Sequence, residues 1–321
     1  MNKRFWKIQK LICTCVSAII PCRELRHKVR YALDPLNDKR CVDYFKRKYV
    51  LTTGLAHVDT DAVSNSNANT ASDPQDKEFV WQCWLQGVDK APALVRRCLD
   101  SVAEHCGEQY NVVVLTEDTW PDYVSLPSVV LRKRRAGLIG DAQFSDILRV
   151  CLLARYGGWW VDATCLATSA FPSWVIQQPF FMFRSCGEFA YTAIQSCFIR
   201  AQRGSYLARR WRQLMLCLWE NEGRTLHYFQ LHLMFKAMIE ADPTAAELFA
   251  NAPSVSEEPT HTLLEYMKSN TPFSERLLCE AVGKSFIHKL TYKHPAGGIA
   301  DGSFADHFLS TDSQMASTAQ Q

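Results

Sequence analysis

The chain has 321 residues, of which 47% are hydrophobic and 21% are charged, with 14 glycines and 13 prolines. This composition excludes a collagen, a coiled coil and a wholly disordered protein, and the length allows a large packed core. Since no run approaches the roughly 18 apolar residues of a membrane span, the sequence predicts no transmembrane helix.

The net charge of +3 hides a strong asymmetry, because residues 1–50 alone carry 13 Lys and Arg against 4 Asp and Glu. The apolar residues over 5–20 gather on one side of a predicted amphipathic helix, with lysines beside them, as in helices that lie on membranes. We therefore predict a basic helical N-terminal arm over 1–58. It contacts an anionic membrane surface or docks on the protein's own body; no nucleic-acid fold is recognisable in it, so nucleic acid is not an expected partner.

The 13 cysteines are scattered without the paired spacing of a disulfide framework or a zinc site, which predicts a reduced, cytoplasmic protein. Residues 59–77 are rich in Asn, Ser, Asp and Ala and hold no aromatic residue, which indicates a flexible linker. The predicted folded body then occupies 78–303, and a frayed, disordered tail is expected over 304–321.

The body opens with a predicted βαβ unit. An apolar run over 79–85 indicates a buried strand, Pro92 begins a helix with apolar spacing over 94–102, and residues 112–116 form a second buried strand. Strand, helix and strand within about 35 residues imply a parallel sheet with right-handed crossovers.

The strongest predicted helix covers 141–156, where Gly157 and Gly158 stop it, and a strand follows over 159–163. After Pro172 the pattern turns mostly helical, with helices predicted over 206–220 and 226–240. The sequence contains no phosphate-binding loop, no Gly-x-Gly-x-x-Gly after a strand and no His-Glu-x-x-His. It therefore gives no support for a P-loop nucleotide site, a dinucleotide-binding site or a zinc protease site.

Asp162 follows the predicted strand directly, at its carboxyl end, where open parallel sheets bind their ligands. A carboxylate in that place can hold a divalent cation together with phosphate oxygens, and the double glycine allows close backbone approach. Ser145, Asp146 and Arg149 share one face of the preceding helix. The alternatives are a turn or capping role for Asp162 and a surface ion pair for Asp146 and Arg149.

Three segments carry a resemblance to a known family: SDILRVCLLARYGGWWVDAT (145–164), VWQCWLQG (80–87) and SFIHKLTYK (285–293). They resemble the bacterial capsular polysaccharide synthesis proteins, relatives of glycosyltransferases whose sugar-binding region carries an Asp-x-Asp motif. The resemblance covers about residues 77–293. It implies an α/β, GT-A-like (Rossmann-like) fold with a mixed, mostly parallel sheet flanked by helices and with a helical C-terminal part.

The resemblance also implies an activity, the transfer of a sugar from a nucleotide-diphosphate donor to a growing polysaccharide or lipid-linked glycan, with retention of configuration. Asp162 matches the first Asp of Asp-x-Asp, and Thr164 stands in place of the second. Asp146 and Arg149 match residues that meet the donor. The expected metal, Mn²⁺ or Mg²⁺, is assigned to Asp162, Thr164 and His288. Donor binding is assigned to Ser145, Gly157, Gly158, Trp81, Gln86 and Lys289. Core packing is the favoured alternative for the strand residue Trp81, and an ordinary exposed basic pair is the alternative for His288 and Lys289.

Three further expectations stay open. The hydroxyl of Thr164 is a weaker, neutral ligand, which makes a catalytically inactive GT-A-like module that binds glycan or nucleotide the alternative function. Residues 195–198 differ from the Asn-Trp pair of similar proteins, so a differently built acceptor side is expected. The basic run 132–135 fits a diphosphate, an acceptor phosphate or simple solvation.

Overall fold

A mixed sheet lies at the centre of the computed structural model, which describes residues 37–54 and 77–310. Its order is β2-β1-β3-β6-β5, and a separate two-stranded ribbon pairs β4 with β7. The strands of the main sheet are β1 Phe79–Cys83, β2 Asn111–Leu115, β3 Gly158–Val161, β5 Phe180–Met182 and β6 Phe198–Ala201. The ribbon strands are β4 Cys165–Ala167 and β7 Ile287–Lys289.

The strand directions confirm the predicted α/β class. β1 is parallel to both β2 and β3, whereas β6 is antiparallel to both of its neighbours, β3 and β5. Four strands therefore run one way and β6 alone runs the other, which is the mixed, mostly parallel sheet that the sequence predicts. The βαβ unit over 79–115 is present as expected.

Helices cover both faces of the sheet. Among the described residues they are α1 Asp38–Phe45, α2 Ala93–Cys106, α3 Ser128–Arg135, α4 Asp141–Arg155, α5 Ser173–Ile176, α6 Tyr206–Asn221, α7 Gln230–Ala241, α8 Pro243–Ala250, α9 Glu258–Lys268, α10 Glu275–Val282 and α11 Phe304–Leu309. None of them is long and apolar enough to cross a bilayer.

The tryptophans of β1 and β3 show how strand alternation divides the core. Trp81 and Trp160 face one side and pack with α4, α6 and α7, whereas Val80 and Trp159 face the other and pack with α2 and the β4–β7 ribbon. Trp81 is fully buried and donates from Nε1 to the Gly157 carbonyl (3.2 Å). The prediction that Trp81 binds the donor is therefore wrong, because its ring and its only N–H are used inside the core.

Residues 37–54 belong to the body and not to a separate arm. α1 and the π-helical turn Lys46–Val50 pack on α7 and bury Phe45 and Tyr49. Glu222 Oε1 accepts from Tyr44 (2.5 Å), Lys48 (2.6 Å) and Tyr49 (2.7 Å), which fastens this segment to the end of α6. The predicted boundary at residue 58 is thus corrected. The predicted helix over 5–20 and nearly all of the predicted linker lie outside the described residues.

The chain does not fray at Phe304 as predicted. α11 begins there, with the hydroxyl of Ser303 accepting from the Asp306 amide at its cap, and it buries Phe304 and Phe308. These two rings are four residues apart and so share one helical face. The polar composition that follows masked this short apolar pair; residues 311–321 lie outside the described part of the chain.

Gly157 and Gly158 let the chain enter β3 in close contact with neighbouring backbone. Gly157 and Gly158 both have positive φ, and both are buried. A Cβ would lie 2.5 Å from the Arg203 amide nitrogen at Gly157 and 2.2 Å from the Phe79 carbonyl oxygen at Gly158. The two glycines stand at the opposite end of β3 from Asp162, against protein backbone. Their predicted contact with the donor is wrong, and strand packing explains them.

We expect Gly158→Ala to cost about 3 kcal/mol or more of unfolding free energy, since it combines a positive φ with an overpacked backbone contact. Gly87→Ala is the matched control. Gly87 has a similar φ of 90° but nothing within 4 Å of the added methyl, so only about 1–2 kcal/mol should be lost. Urea unfolding of the two variants measures the difference, and equal losses would contradict the role of the backbone contact.

Candidate active site

Asp162 is the hub of a buried charge cluster at the carboxyl end of β3. Its Oδ1 accepts from Trp160 Nε1 (2.8 Å) and from Arg149 Nη2 (3.0 Å). Its Oδ2 accepts from Lys289 Nζ (2.8 Å). The Asp162 side chain is 23% exposed, so the cluster is not closed off from the surface. The carboxylate thus binds cations and an indole, and it does not cap a helix or a turn.

The turn after β3 brings Asp162 and Lys289 together. The Asp162 amide donates to the Cys197 carbonyl and its own carbonyl accepts from the Cys165 amide, both at 2.8 Å. The chain thereby enters β4, whose register places Cys165 opposite Lys289. Lys289 lies 127 residues further along the chain, yet strand pairing delivers its ammonium to the carboxylate.

Arg149 reaches the same carboxylate from α4. Its Nη1 donates to the Ser196 carbonyl (2.7 Å), its Nη2 also lies 3.5 Å from Asp146, and the guanidinium stacks 4.8 Å from the centre of the Trp160 ring. The side chain is only 6% exposed. The i,i+3 pair that the sequence offered as a surface ion pair is therefore buried and aimed at the end of the sheet.

The charges around Asp162 settle its protonation. Burial alone would raise the pKa of Asp162, but Lys289 and Arg149 outweigh it and hold that pKa well below its usual range. Although burial opposes it, the Asp162 carboxylate raises the pKa of Lys289. At neutral pH the carboxylate is ionised between two full positive charges.

Asp146 behaves differently. Burial raises its pKa to about 6, since the favourable charge of Arg149 is smaller than the loss of solvation and Asp162 adds repulsion. Its side chain is 16% exposed. In this cluster the charged form of Asp162 is stabilised, whereas the charged form of Asp146 is destabilised.

The structure brings together four of the predicted residues: Asp146, Arg149, Asp162 and Lys289. Ser145 lies next to them and hydrogen-bonds the thiol of Cys83, whose pKa burial raises to about 12. Gln86 is exposed just beyond β1 and donates to Asp141 Oδ2 (2.7 Å).

His288 does not join the cluster. It is fully buried, and strand alternation turns its ring away from the face that carries Lys289. Nε2 lies 2.9 Å from the Ser285 carbonyl, and burial lowers the pKa of the ring. The prediction that His288 ligates a metal is therefore wrong.

The remaining groups do not fit the predicted Mn²⁺ or Mg²⁺ site. Such ions prefer several oxygen ligands, and protein sites usually supply one or two carboxylates that are free to coordinate. Both oxygens of Asp162 already accept hydrogen bonds, one of them from an ammonium, and Thr164 offers only a hydroxyl. Within residues 37–54 and 77–310, no three His, Cys, Asp or Glu side chains gather as metal ligands.

Sequence reasoning missed His232, a half-buried residue of α7. Burial, together with the charge of Arg149, lowers its pKa to about 3, and its Nδ1 has no hydrogen-bond partner among the described residues. The imidazole is neutral and lies within the field of Arg149 and Asp162. The helix itself was predictable, but its sequence carries no signal that links it to residue 149.

A second polar group flanks the cluster. Gln195 Nε2 donates to Glu257 Oε2 (2.8 Å) and lies 3.2 Å from His261 Nε2. The backbone of the same segment binds Arg149 through Ser196 and Asp162 through Cys197. Residues 195–197 therefore join the two polar groups.

The basic run 132–135 has structural partners. Lys133 donates to the carbonyls of Trp219, Glu220 and Glu222 at the end of α6. Arg134 pairs with Glu117 (3.1 Å) and Asp141 (2.7 Å). These contacts explain both side chains without a phosphate.

With this geometry in place, comparisons with known proteins identify the family. A model of the capsular polysaccharide synthesis protein family matches residues 36–308, most of the chain. The chain belongs to that family. The matched range begins next to the first described residue and ends within α11. The folded body therefore extends beyond the boundaries predicted at residues 58 and 303, in agreement with the family match.

Two individual proteins are similar over part of their length. Glycosyltransferase afumC of Aspergillus fumigatus is 25% identical over 185 residues, which are 52% of this chain and 47% of that protein. The chain thus spans about half of this curated relative. A solved structure, the PaToxG glycosyltransferase, is 12% identical with a TM-score of 0.37, over 76% of this chain and 85% of the other. A likeness that weak says nothing about chemistry.

We expect Asp146→Asn to stabilise the protein at pH 8 by up to about 3 kcal/mol, since a pKa raised from 3.8 to about 6 means that ionisation costs folding free energy. The penalty is absent below about pH 4, grows through pH 6 and is complete above it. Urea unfolding of wild type and variant at pH 8 and pH 4 measures the gap. The exposed Asp118→Asn is the control, and a gap independent of pH would show that the buried charge is not its origin.

Proposed function

We propose that this protein is a glycosyltransferase that takes a sugar from a nucleotide-diphosphate donor. The observation that carries the proposal is the ionised Asp162 at the carboxyl end of β3, held by Arg149 on one oxygen and by Lys289 on the other. Sheets of this kind bind ligands beyond such strand ends. Membership of the capsular polysaccharide synthesis family supports the same activity.

In the proposed reaction the bond between the anomeric carbon and the diphosphate oxygen breaks, and its electron pair leaves with the diphosphate. A hydroxyl oxygen of the acceptor forms the new bond to that carbon, and its proton is released to solvent water. Asp162 accepts hydrogen bonds from donor hydroxyls, and Arg149 positions it. Fixed charges of this kind need no reorganisation as the transition state forms, which is the main source of electrostatic catalysis.

The acceptor that we propose is a growing capsular or exopolysaccharide, a lipopolysaccharide or a lipid-linked glycan, with transfer by retention. These follow from the family. Glu257 and His261 lie across residues 195–197 from Asp162, and we propose that the acceptor enters on this side.

A second candidate function is an inactive module that binds glycan or nucleotide without transfer. Thr164 favours it, because a hydroxyl stands where relatives of the family carry the second carboxylate of Asp-x-Asp. Turnover separates the two candidates: hydrolysis of a nucleotide sugar by the purified protein supports the transferase, and binding without hydrolysis supports the module.

We expect Asp162→Asn to lower donor hydrolysis at least about 100-fold, because it removes the charge that faces both Arg149 and Lys289. A panel of nucleotide sugars measures the rate, and circular dichroism with a thermal melt verifies the fold. Asp100→Asn, at an exposed position on α2, is the matched control. Hydrolysis at the wild-type rate by the Asp162 variant would overturn the proposal.

We also propose a peripheral position at the cytoplasmic face of a membrane. Residues 1–36 hold eight Lys and Arg against two Asp and Glu beside the apolar run over 5–20. A cationic segment of this kind is attracted by anionic lipid headgroups.

The packing of residues 37–54 decides where the chain can be cut to test this, since a truncation at residue 58 would remove buried core residues such as Phe45. We expect the full chain to sediment with anionic vesicles at low salt, and a 37–321 variant to stay in the supernatant. Equal sedimentation of the two proteins would remove the membrane proposal, and docking on the protein's own body would then explain the arm.

A further inference from the structure

We propose that the Lys289 ammonium takes the place of the divalent metal and binds the donor diphosphate directly, so that this protein needs no metal for transfer. The inference rests on the proposed function and specifies how that site neutralises its leaving group. Its basis is the disagreement between the charge cluster of the structure and the metal site that the Asp-x-Asp resemblance predicts.

The Asp162 carboxylate already has a hydrogen-bond partner on each oxygen, and the partner on Oδ2 is itself a cation. It would be the first protein ligand of a divalent ion, yet Oδ1 accepts two hydrogen bonds and Oδ2 accepts one from Lys289. An ion on Oδ2 would sit beside an ammonium that already occupies this position at 2.8 Å. Because like charges repel strongly in a half-buried site, the ion and the lysine exclude each other there.

Thr164, two residues further on, does not restore the missing charge. A carboxylate there would supply both the ligand and the negative charge that an added cation requires. The threonine brings no charge, and its carbonyl is already bound by the Leu290 amide (2.8 Å). The turn thus lacks the second carboxylate and holds the Lys289 ammonium, which supplies at this place the positive charge that a metal would otherwise bring.

The two cations of the cluster differ in their access to a ligand. Arg149 is 6% exposed and uses both terminal nitrogens on the Ser196 carbonyl and the two carboxylates, so it positions Asp162 and has little access to a ligand. Lys289 is 23% exposed and has a single described hydrogen bond. An ammonium carries three N–H donors, so two remain for phosphate oxygens.

Lys289 is also firmly placed. It lies on β7, whose pairing with β4 fixes the backbone opposite Cys165, and the neighbouring Leu290 amide bonds the turn itself. A lysine is a compact point charge that suits phosphate. In the proposed step the ammonium keeps its proton; the electron pair of the broken bond stays on the diphosphate oxygen, whose new charge the ammonium stabilises.

Binding of inorganic pyrophosphate, measured by calorimetry in EDTA, tests the inference without requiring turnover. We expect wild type to bind it, Lys289→Met to bind at least about tenfold more weakly, and Lys289→Arg to recover most of the loss. Lys284→Met, at an exposed lysine in the segment before β7, is the matched control and should bind like wild type. Thermal melts confirm that each variant is folded. Wild-type binding that appears only when Mn²⁺ is added would overturn the inference.

Thr164→Asp provides the converse test. It restores the second carboxylate, so we expect Mn²⁺ to strengthen pyrophosphate binding in this variant and to leave wild type and Thr164→Asn unchanged. A wild type that responds to Mn²⁺ as strongly as the Asp variant would contradict the proposed role of Lys289.

Donor hydrolysis distinguishes this inference from the proposed function. Turnover in EDTA supports both. Turnover that requires Mn²⁺ retains the transferase and rejects the role of Lys289. No turnover of any nucleotide sugar under either condition rejects the transferase, while the pyrophosphate measurement still decides whether Lys289 is an anion site.

Discussion

The shared carboxylate of Asp162 is the constraint around which this protein is organised. An ionised carboxylate is costly to bury unless cations and hydrogen bonds compensate it. Here the compensation comes from Arg149 on α4, Trp160 on β3 and Lys289 on β7. Two elements that follow each other in the chain, α4 and β3, must therefore meet β7, whose Lys289 lies 127 residues beyond Asp162, and their meeting fixes the relative positions of the main sheet, the long buried helix and the ribbon.

The charged groups around Asp162 differ in their surroundings. Arg149 is enclosed and uses both terminal nitrogens on partners within the cluster, among them Asp162, whereas Lys289 is partly exposed at the surface. Asp146 completes the set as a carboxylate that the fold tolerates at a cost, because burial works against its charge. Strain of this kind persists where surrounding structure enforces it, and it concentrates at functional sites.

The sequence predicts the local parts of this design well and the long-range parts poorly. The βαβ unit, α4 and the strand before Asp162 follow from the periodicity of hydrophobic residues and from the glycines that end an element. Both are local signals in the sequence. Asp162, Asp146 and Arg149 lie close together in the sequence, so spacing alone could group them. Lys289 was placed only through the family resemblance, and His232 and His261 could not be placed, since they join the site through tertiary packing.

The errors have physical reasons too. Gly157, Gly158 and Trp81 lie in segments that carry the family resemblance, but all three contact protein backbone. The close packing at the start of β3 requires the glycines, and no ligand is needed to explain them. The sequence analysis assigns both His288 and Lys289 to the site, yet in a strand adjacent side chains point to opposite faces. Residues 37–54 and 304–309 show that short apolar sets within polar stretches can still be core.

The pairing of β4 with β7 has a consequence for biosynthesis. The Asp162 turn emerges from the ribosome well before Lys289, so the nascent chain holds a carboxylate with half of its eventual counter-charge while the C-terminal elements are still being made. Closure of this ribbon is accordingly a late event, and the charge cluster around Asp162 is completed only when translation has passed β7.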